Sequence, residues 1–508
     1  MSEKVIPMEQ SATIKQTRFD EAQNYYTNLA TVLHIVPDEF AKDRNLTQMD
    51  VARKFAEYVS WNRAPIHLRY CPSLGWLSRP GTRNYWEMND VDADKCVVSY
   101  LDNLRRVASD AVAHNIDDAE QLLKYAKSQS TDAGRRGILS IAKSFLAVHA
   151  DELDHDAYVL NTASGLVSLV TSDAAQVYGI EDADYKIPFI DDKGHILTKC
   201  APFDPNDVTG WDTWRSFVTD VCRTADGQED AEFELYLQMV CGMAAFGEVK
   251  EEGLWLVYGD GRNGKSTFFN AVSEVMGTYS DTINPDVLMD RQSNRFGLAR
   301  IRGVRVLLCG ELEEGQRLST KILKRMTSTD PVSVERKGHD VETVQPTHSL
   351  LMYTNFLPRI YSTDDGTWRR IRVLPFEAHF DGKRKNYAKT LVSECGGAIL
   401  RWIIQGALLF SYGEYALPTC KRVEDASARY RIEENWLQRF LDDCTESVGG
   451  AMIGSTALYE EYCFYCDREH ERPHRRQEFK QGMERLGYAS VHRSTGRFFE
   501  GVRLKNRE

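Results

Sequence analysis

Nine consecutive residues, Gly259-Asp260-Gly261-Arg262-Asn263-Gly264-Lys265-Ser266-Thr267, constrain this chain more than any other stretch. A short apolar run, 254–258, precedes them, and apolar residues at helical spacing, 268–276, follow. The segment is thus G-x-x-x-x-G-K-S between a strand and a helix. Glycines let such a loop turn its N–H groups inward around phosphate oxygens, and the helix N-terminus adds positive potential. Lys265 then reaches the β- and γ-phosphates, and Ser266 offers a hydroxyl to Mg2+. Gly259, Gly261 and Gly264 also spell G-x-G-x-x-G, which leaves a dinucleotide reading formally open. The Lys-Ser pair after the last glycine serves a triphosphate and has no role for a dinucleotide. A plain structural turn leaves the pair unexplained. The expected ligands are ATP and Mg2+, held by residues 259–267.

The surroundings narrow the class. Residues 304–308 form a second apolar run, ending in Cys309-Gly310-Glu311-Leu312-Glu313-Glu314. A carboxylate at such a strand end holds Mg2+ through water and polarises the attacking water. Glu311 is nearest the strand end and is the expected residue, with Glu313 second. A third run, 349–353, ends in Thr354-Asn355, where Asn355 is placed to sense the γ-phosphate. Alternation on both sides of Lys337-Gly338-His339-Asp340 predicts a β-hairpin whose tip carries Arg336, Lys337 and His339 toward nucleic-acid phosphates. Arg369 and Arg370 enter a fourth run, where an arginine finger for a neighbouring subunit's ATP belongs. Taken alone, each of these last three features is equally a solvated turn or a surface ion pair.

Strand runs alternating with amphipathic helices from 254 to about 412 predict an α/β domain with a mainly parallel sheet. Upstream, residues 16–150 are patterned as helices around a Trp-, Gly- and Pro-rich irregular sheet at 61–86, and 155–200 as short strands. Residues 421–434 suit a linker helix. The last 75 or so follow the order helix, helix, helix, hairpin, which is that of a winged helix. The expected boundaries are 1–95, 96–235, 236–418 and 419–508.

Charge enters here. The 508-residue chain carries a formal net charge of -12, which on its face disfavours a nucleic-acid partner. Residues 472–507, however, hold ten Lys and Arg against three Glu, a net +7. Arg475, Arg476 and Lys480 fall on the third terminal helix and Arg493 and Arg497 flank the hairpin, a pattern for DNA phosphates. No apolar run approaches the roughly 20 residues that span a bilayer, the best being 399–412, interrupted by Arg401 and Gln405. Eleven cysteines in a chain without a signal pattern suit reduced thiols in a cytosol better than a disulfide framework.

The ordered set resembles the superfamily 3 helicases, and more closely the helicase region of the phage/plasmid primase–helicase family, which includes the poxvirus primase–helicase. The residues that carry the resemblance are 259–267, 307–314, Leu323-Lys324-Arg325-Met326-Thr327 with the hairpin to Asp340, Tyr353-Thr354-Asn355-Phe356-Leu357-Pro358, and 368–376, with weaker likeness at 154–171, 211–217 and 430–504. The resemblance implies an AAA+-like P-loop ATPase with a preceding helical domain and a C-terminal winged helix. It implies a hexameric ring translocating 3′ to 5′ on single-stranded and forked DNA. Lys265, Ser266 and Glu311 would act in cis, Asn355 as sensor, and Arg369 or Arg370 in trans. Two positions depart from the family: Ser328-Thr329-Asp330 stands where Gly-Gly-Asp is common, and Leu312 displaces the second acid after Glu311.

Other readings stay beside this one. An ATP-switched origin-binding initiator needs the same loop and terminal module. A bifunctional primase–helicase needs a carboxylate pair, and Asp92/Asp94 and Asp154/Asp156 fit D-x-D, although capping of the following helix accounts for the first. A separate primase or polymerase is then an expected partner. Cys463, Cys466, His470 and His474 are zinc-ligand types, but nearly all lie in one helical pattern, whereas zinc sites draw on separate elements. A GTPase lacks its Asn-Lys-x-Asp box, and a small-molecule kinase needs neither the hairpin nor the basic module.

Overall fold

A computed structural model describes residues 46–505 apart from 62–63, 117–118, 181, 183, 193, 290–300, 335–341, 361–363, 381–385, 470–472 and 495. The described residues form two compact units, one of 46–168 with 188–202, the other of 169–187, 203–334 and 343–505.

In the first unit four helices, Gln48–Ser60, Asp90–Ala113, Ala119–Gln129 and Asp132–Phe145, bury Phe55, Tyr100, Leu104, Leu122 and Ile138 in one core. Thr47 caps the first with a reciprocal Asp50 capping box, and Asn89 caps the second. The expected irregular sheet is a three-stranded antiparallel one, β1 (Ile66–Cys71), β2 (Gly75–Pro80) and β3 (Glu87–Met88). Asp92, of the first D-x-D pair, lies in the opening turn of its helix and accepts from Ser78 Oγ and Lys95 Nζ, while the cap itself is Asn89, which accepts from the Asp92 amide. Asp154 accepts from the Thr198 amide at 2.7 Å. A second small sheet, β4 (Val159–Thr162), β5 (Gly165–Ser168) and β6 (Phe189–Ile190), completes the unit.

The second unit is mixed α/β around an all-parallel five-stranded sheet. Its strands are β7 (Leu254–Tyr258), β8 (Ser280–Ile283), β9 (Val306–Cys309), β12 (Ser349–Thr354) and β13 (Ile371–Pro375), in spatial order β13-β7-β12-β9-β8. The intervening β10 (Val332–Val334) and β11 (Glu342–Val344) pair as a separate hairpin. Leu254, Trp255, Leu256, Leu307 and Leu350 are buried, as strands covered on both faces require. The chain leaves β7 toward β8 on one side of the sheet and leaves β12 toward β13 on the other, so the connections switch direction between β7 and β12, and in such sheets ligands bind outside the carboxyl ends at that point.

Helix Tyr387–Tyr412 differs from the sequence expectation. It runs 26 residues and, by length and composition, is long and apolar enough to cross a membrane. It is instead a core helix, 83% buried over its most apolar window. It crosses helix Ala231–Met243 so closely that a Cβ on Gly242 would lie 2.1 Å from the Ala407 amide nitrogen. Trp402, Trp214 and Phe268 cluster beside that crossing. Its Arg401 is fully buried and donates to the carbonyls of Ile180 (2.7 Å), Asp182 (2.9 Å) and Tyr185 (2.9 Å).

The expected linker, helix Lys421–Glu433, is built into this unit rather than joining it to something else. Ser427 Oγ accepts from the Val373 amide of β13, the Tyr430 hydroxyl donates to the Pro358 carbonyl, and Glu434 accepts from the Ile360 amide at 2.7 Å. The terminal elements are helices Trp436–Cys444, Ser455–Arg468 and Arg476–Arg485 with strands β15 (Ser490–Arg493) and β16 (Gly496–Leu504). One strand was not anticipated: β14 (Thr445–Gly454) pairs with β16 across a register shift between Ser447 and Met452. Gly449 and Gly450 sit at that irregularity and break the alternation that announces a strand.

Candidate functional site

The parallel register brings three strand ends to one edge. Tyr258 pairs with Thr354 and Met352 with Cys309, so Gly259, Asn355 and the segment leading to Glu311 leave the sheet together. The loop after β7 turns through Gly261 (φ +99°) and Gly264 (φ +77°), backbone that favours glycine, and delivers the chain into helix Lys265–Met276. A Cβ at Gly259 would meet the Phe376 carbonyl at 2.3 Å, and one at Gly264 would meet Val221 Cγ1 at 2.6 Å. The glycines are therefore required by close approach as well as by φ.

Lys265 is 5% exposed. Its Nζ donates to the Gly259 carbonyl at 2.7 Å, to Asn263 Oδ1 at 3.1 Å and to Asn355 Oδ1 at 3.1 Å. All three partners are neutral oxygens. Burial pushes the ammonium below the usual lysine range, while Glu311 and Asp260 pull it back up. A buried cation facing only neutral acceptors suits an incoming anion, which restores the charge balance that burial removed. Asn355 Nδ2 points the other way, 3.5 Å from Glu311 Oε1, so the amide bridges the ammonium and the carboxylate. Ser266 and Glu311 are both solvent-exposed, which suits an oxygen-only hard cation. Asp260 accepts from the Tyr258 hydroxyl, and Arg262 and Thr267 lie on the loop and the first turn of the helix. Asn263 has a structural part: its Nδ2 donates to the Ala378 carbonyl at 2.8 Å and positions the oxygen that receives Lys265.

Glu313 and Glu314 are exposed beyond the buried Leu312. The two arginines separate. Arg370 is 8% exposed, donates to the Gly366 carbonyl at 2.7 Å and pairs with Glu252. Arg369 keeps a 67% exposed side chain, 3.4 Å from the same carboxylate. Sequence reasoning missed Glu252, because a glutamate before an apolar strand carries no signal of its own. Arg336, Lys337 and His339 lie outside the described residues.

On the terminal module Phe479 and Met483 face the core of helix Arg476–Arg485, while Arg475, Arg476 and Arg485 are exposed and Lys480 pairs with Glu484 at 3.4 Å. Arg493 and Arg497 are exposed at the β15–β16 turn. Cys466 is buried in the core of this module, Cys463 lies on the same helix, and the His474 ring stacks 4.0 Å from Trp436.

A family model described as D5 N terminal like matches residues 52–223, and one described as a family of unknown function (DUF5906) matches 257–370. A protein named “Putative helicase” in Acanthamoeba polyphaga mimivirus is 26% identical over 255 residues, 46% of this chain and 26% of its own length. A protein named “Putative primase” in African swine fever virus (strain Badajoz 1971 Vero-adapted) is 22% identical over 352 residues, 64% of this chain and 35% of its own. The chain thus spans about a third or less of the curated relatives it matches. Among solved structures the NrS-1 C-terminal region aligns with 87% of this chain and 97% of its own, at 9% identity and a TM-score of 0.45.

Proposed function

The chain belongs to the phage and viral primase–helicase family, and on that premise we infer that it is an ATP-hydrolysing DNA helicase of a viral or mobile-element replication system. The observation that carries the reading is the Lys265–Asn355–Glu311 chain of contacts at the carboxyl edge of the sheet. In this reading residues 259–267 form a P-loop that wraps the triphosphate, and Lys265 neutralises charge on its β- and γ-phosphates. Ser266 and Glu311 would hold Mg2+, which would supply further neutralisation of phosphate charge. Glu311 polarises the attacking water, and Asn355 transmits the state of the γ-phosphate position to Glu311. Arg369, exposed and lightly held, reaches a neighbouring subunit's ATP in a hexameric ring, while Arg370 anchors the strand that carries it. Arg336, Lys337 and His339 would follow single-stranded DNA, and the terminal winged helix would add Arg475, Arg476, Lys480, Arg493 and Arg497.

The test is ATP hydrolysis and unwinding of a forked duplex by the wild type and Lys265→Ala, with and without single-stranded DNA. DNA-stimulated hydrolysis and an opened fork in the wild type alone support the reading. Hydrolysis indifferent to DNA, with forks left closed, sinks it.

A further inference from the structure

Two guanidinium groups and an imidazole converge on one face of the small sheet in the first unit. His67 and Arg79 are directly opposed in the antiparallel register of β1 and β2, and Arg69, two residues along β1, shares their face. The guanidinium carbons of Arg69 and Arg79 lie 5.7 and 5.1 Å from the ring centroid of Trp86, which is 5% exposed. The indole is a buried platform that holds both arginines in place. Arg69 spends one terminal nitrogen on Ser60 Oγ and the Leu68 carbonyl, each at 3.1 Å. Arg79 makes no hydrogen bond, and neither arginine makes an ion pair, among the described residues. The nearby Arg83 contrasts with them, because it is paired with Glu87.

Like charges brought together without a carboxylate repel one another, and proteins arrange this where an anion is to be received. Burial first and Arg79 second push both His67 and Arg69 below their usual ranges. All three side chains remain half-buried rather than covered, so an incoming anion reaches them. Guanidinium forks with unspent donors match phosphate oxygens.

We propose that His67, Arg69 and Arg79, gathered over Trp86, form a phosphate-binding surface for the backbone of single-stranded DNA. The choice of DNA rests on the helicase reading above. The anion site itself rests on the side-chain geometry alone.

The experiment uses the full chain without nucleotide and a fluorescein-labelled oligo-dT, followed by anisotropy across a salt series. Losing two single-strand phosphate contacts lowers the slope of log affinity against log salt by about 1.4 and weakens binding about tenfold at moderate salt. Arg69→Gln with Arg79→Gln is expected to show both effects. Arg79→Gln alone is the second variant, since it leaves no group unpaired and its melting temperature is expected to stay level or rise as repulsion is relieved. Affinity and salt slope equal to wild type in both variants would overturn the proposal. A rise in wild-type melting temperature as large with inorganic phosphate as with oligo-dT at equal phosphate concentration would also overturn it, by showing a site for free anions. Because no hydrolysis is measured, Lys265→Ala serves as a background in which the binding difference persists even if the motor reading fails.

Discussion

Lys265 Nζ lies 3.1 Å from Asn355 Oδ1, across 90 residues of sequence, and Asn355 Nδ2 in turn lies 3.5 Å from Glu311. The amide touches both the loop cation and the acidic strand end. Asn355→Ala is therefore expected to lower the hydrolysis rate about 100-fold or more, as loss of a preorganised polar group in an active site does. Equilibrium binding of a fluorescent ATP analogue should change little. A variant that loses binding and rate together would make Asn355 a part of the loop's scaffold instead.

Arg369 and Arg370 share Glu252 but not a role. Arg370→Ala removes a buried donor and leaves the Gly366 carbonyl and Glu252 short of a partner, at a cost of about 1–3 kcal/mol. Arg369→Ala removes an exposed guanidinium and should leave the denaturation midpoint unchanged. In mixed oligomers, Arg369→Ala subunits should depress hydrolysis by their wild-type neighbours. Denaturation curves and subunit-mixing assays check the two halves independently.

Buried Arg401 ties the segment around Ile180–Tyr185 to the long core helix through three carbonyl oxygens. Arg401→Met fills the space but strands those acceptors. The expected loss is roughly 3 kcal/mol or more. Limited proteolysis should find new cleavage near residues 180–187 before the rest of the unit opens.

His348 is 4% exposed, and its Nε2–H donates to the Met326 carbonyl at 2.9 Å. Burial pushes its imidazole down to about 4 from 6.5. The unfolded chain thus takes up a proton below about pH 6.5 that the folded chain refuses until about pH 4. Its contribution to stability is complete above pH 6.5, falls as pH drops through that window, and is flat below it. In urea titrations between pH 7 and 4, His348→Leu should show a shallower decline than wild type, even if it is less stable at pH 7.

Much of the second unit's plan was legible because its signals are local. The loop 259–267, strand β7, the acidic end after β9 and the Thr354-Asn355 end of β12 each announce themselves within ten residues. The separation of Arg369 from Arg370 was not legible, since adjacent arginines look alike until Glu252 chooses between them. Strand β14 was missed because Gly449-Gly450 interrupts its period. Helix Lys421–Glu433 looked like a linker because its composition is polar, yet Ser427 ties it to β13, and Tyr430 and the following Glu434 tie it to Pro358 and Ile360. The apolar length of helix Tyr387–Tyr412 was underestimated because Arg401 counts as an interruption in sequence and as a carbonyl anchor in the fold.

The sequence by itself determined the glycine-rich loop 259–267, the alternation of strands and helices around the parallel sheet, and the concentration of positive charge in the terminal module, since each depends on residues a few positions apart. Tertiary structure decided which charges are spent and which remain available. Lys265, Arg370 and Arg401 are held by oxygen acceptors brought together by the fold, while Arg69 and Arg79 lie over Trp86 without an ion pair among the described residues. Burial and pairing are properties of neighbours in space, and a linear charge count of -12 cannot contain them.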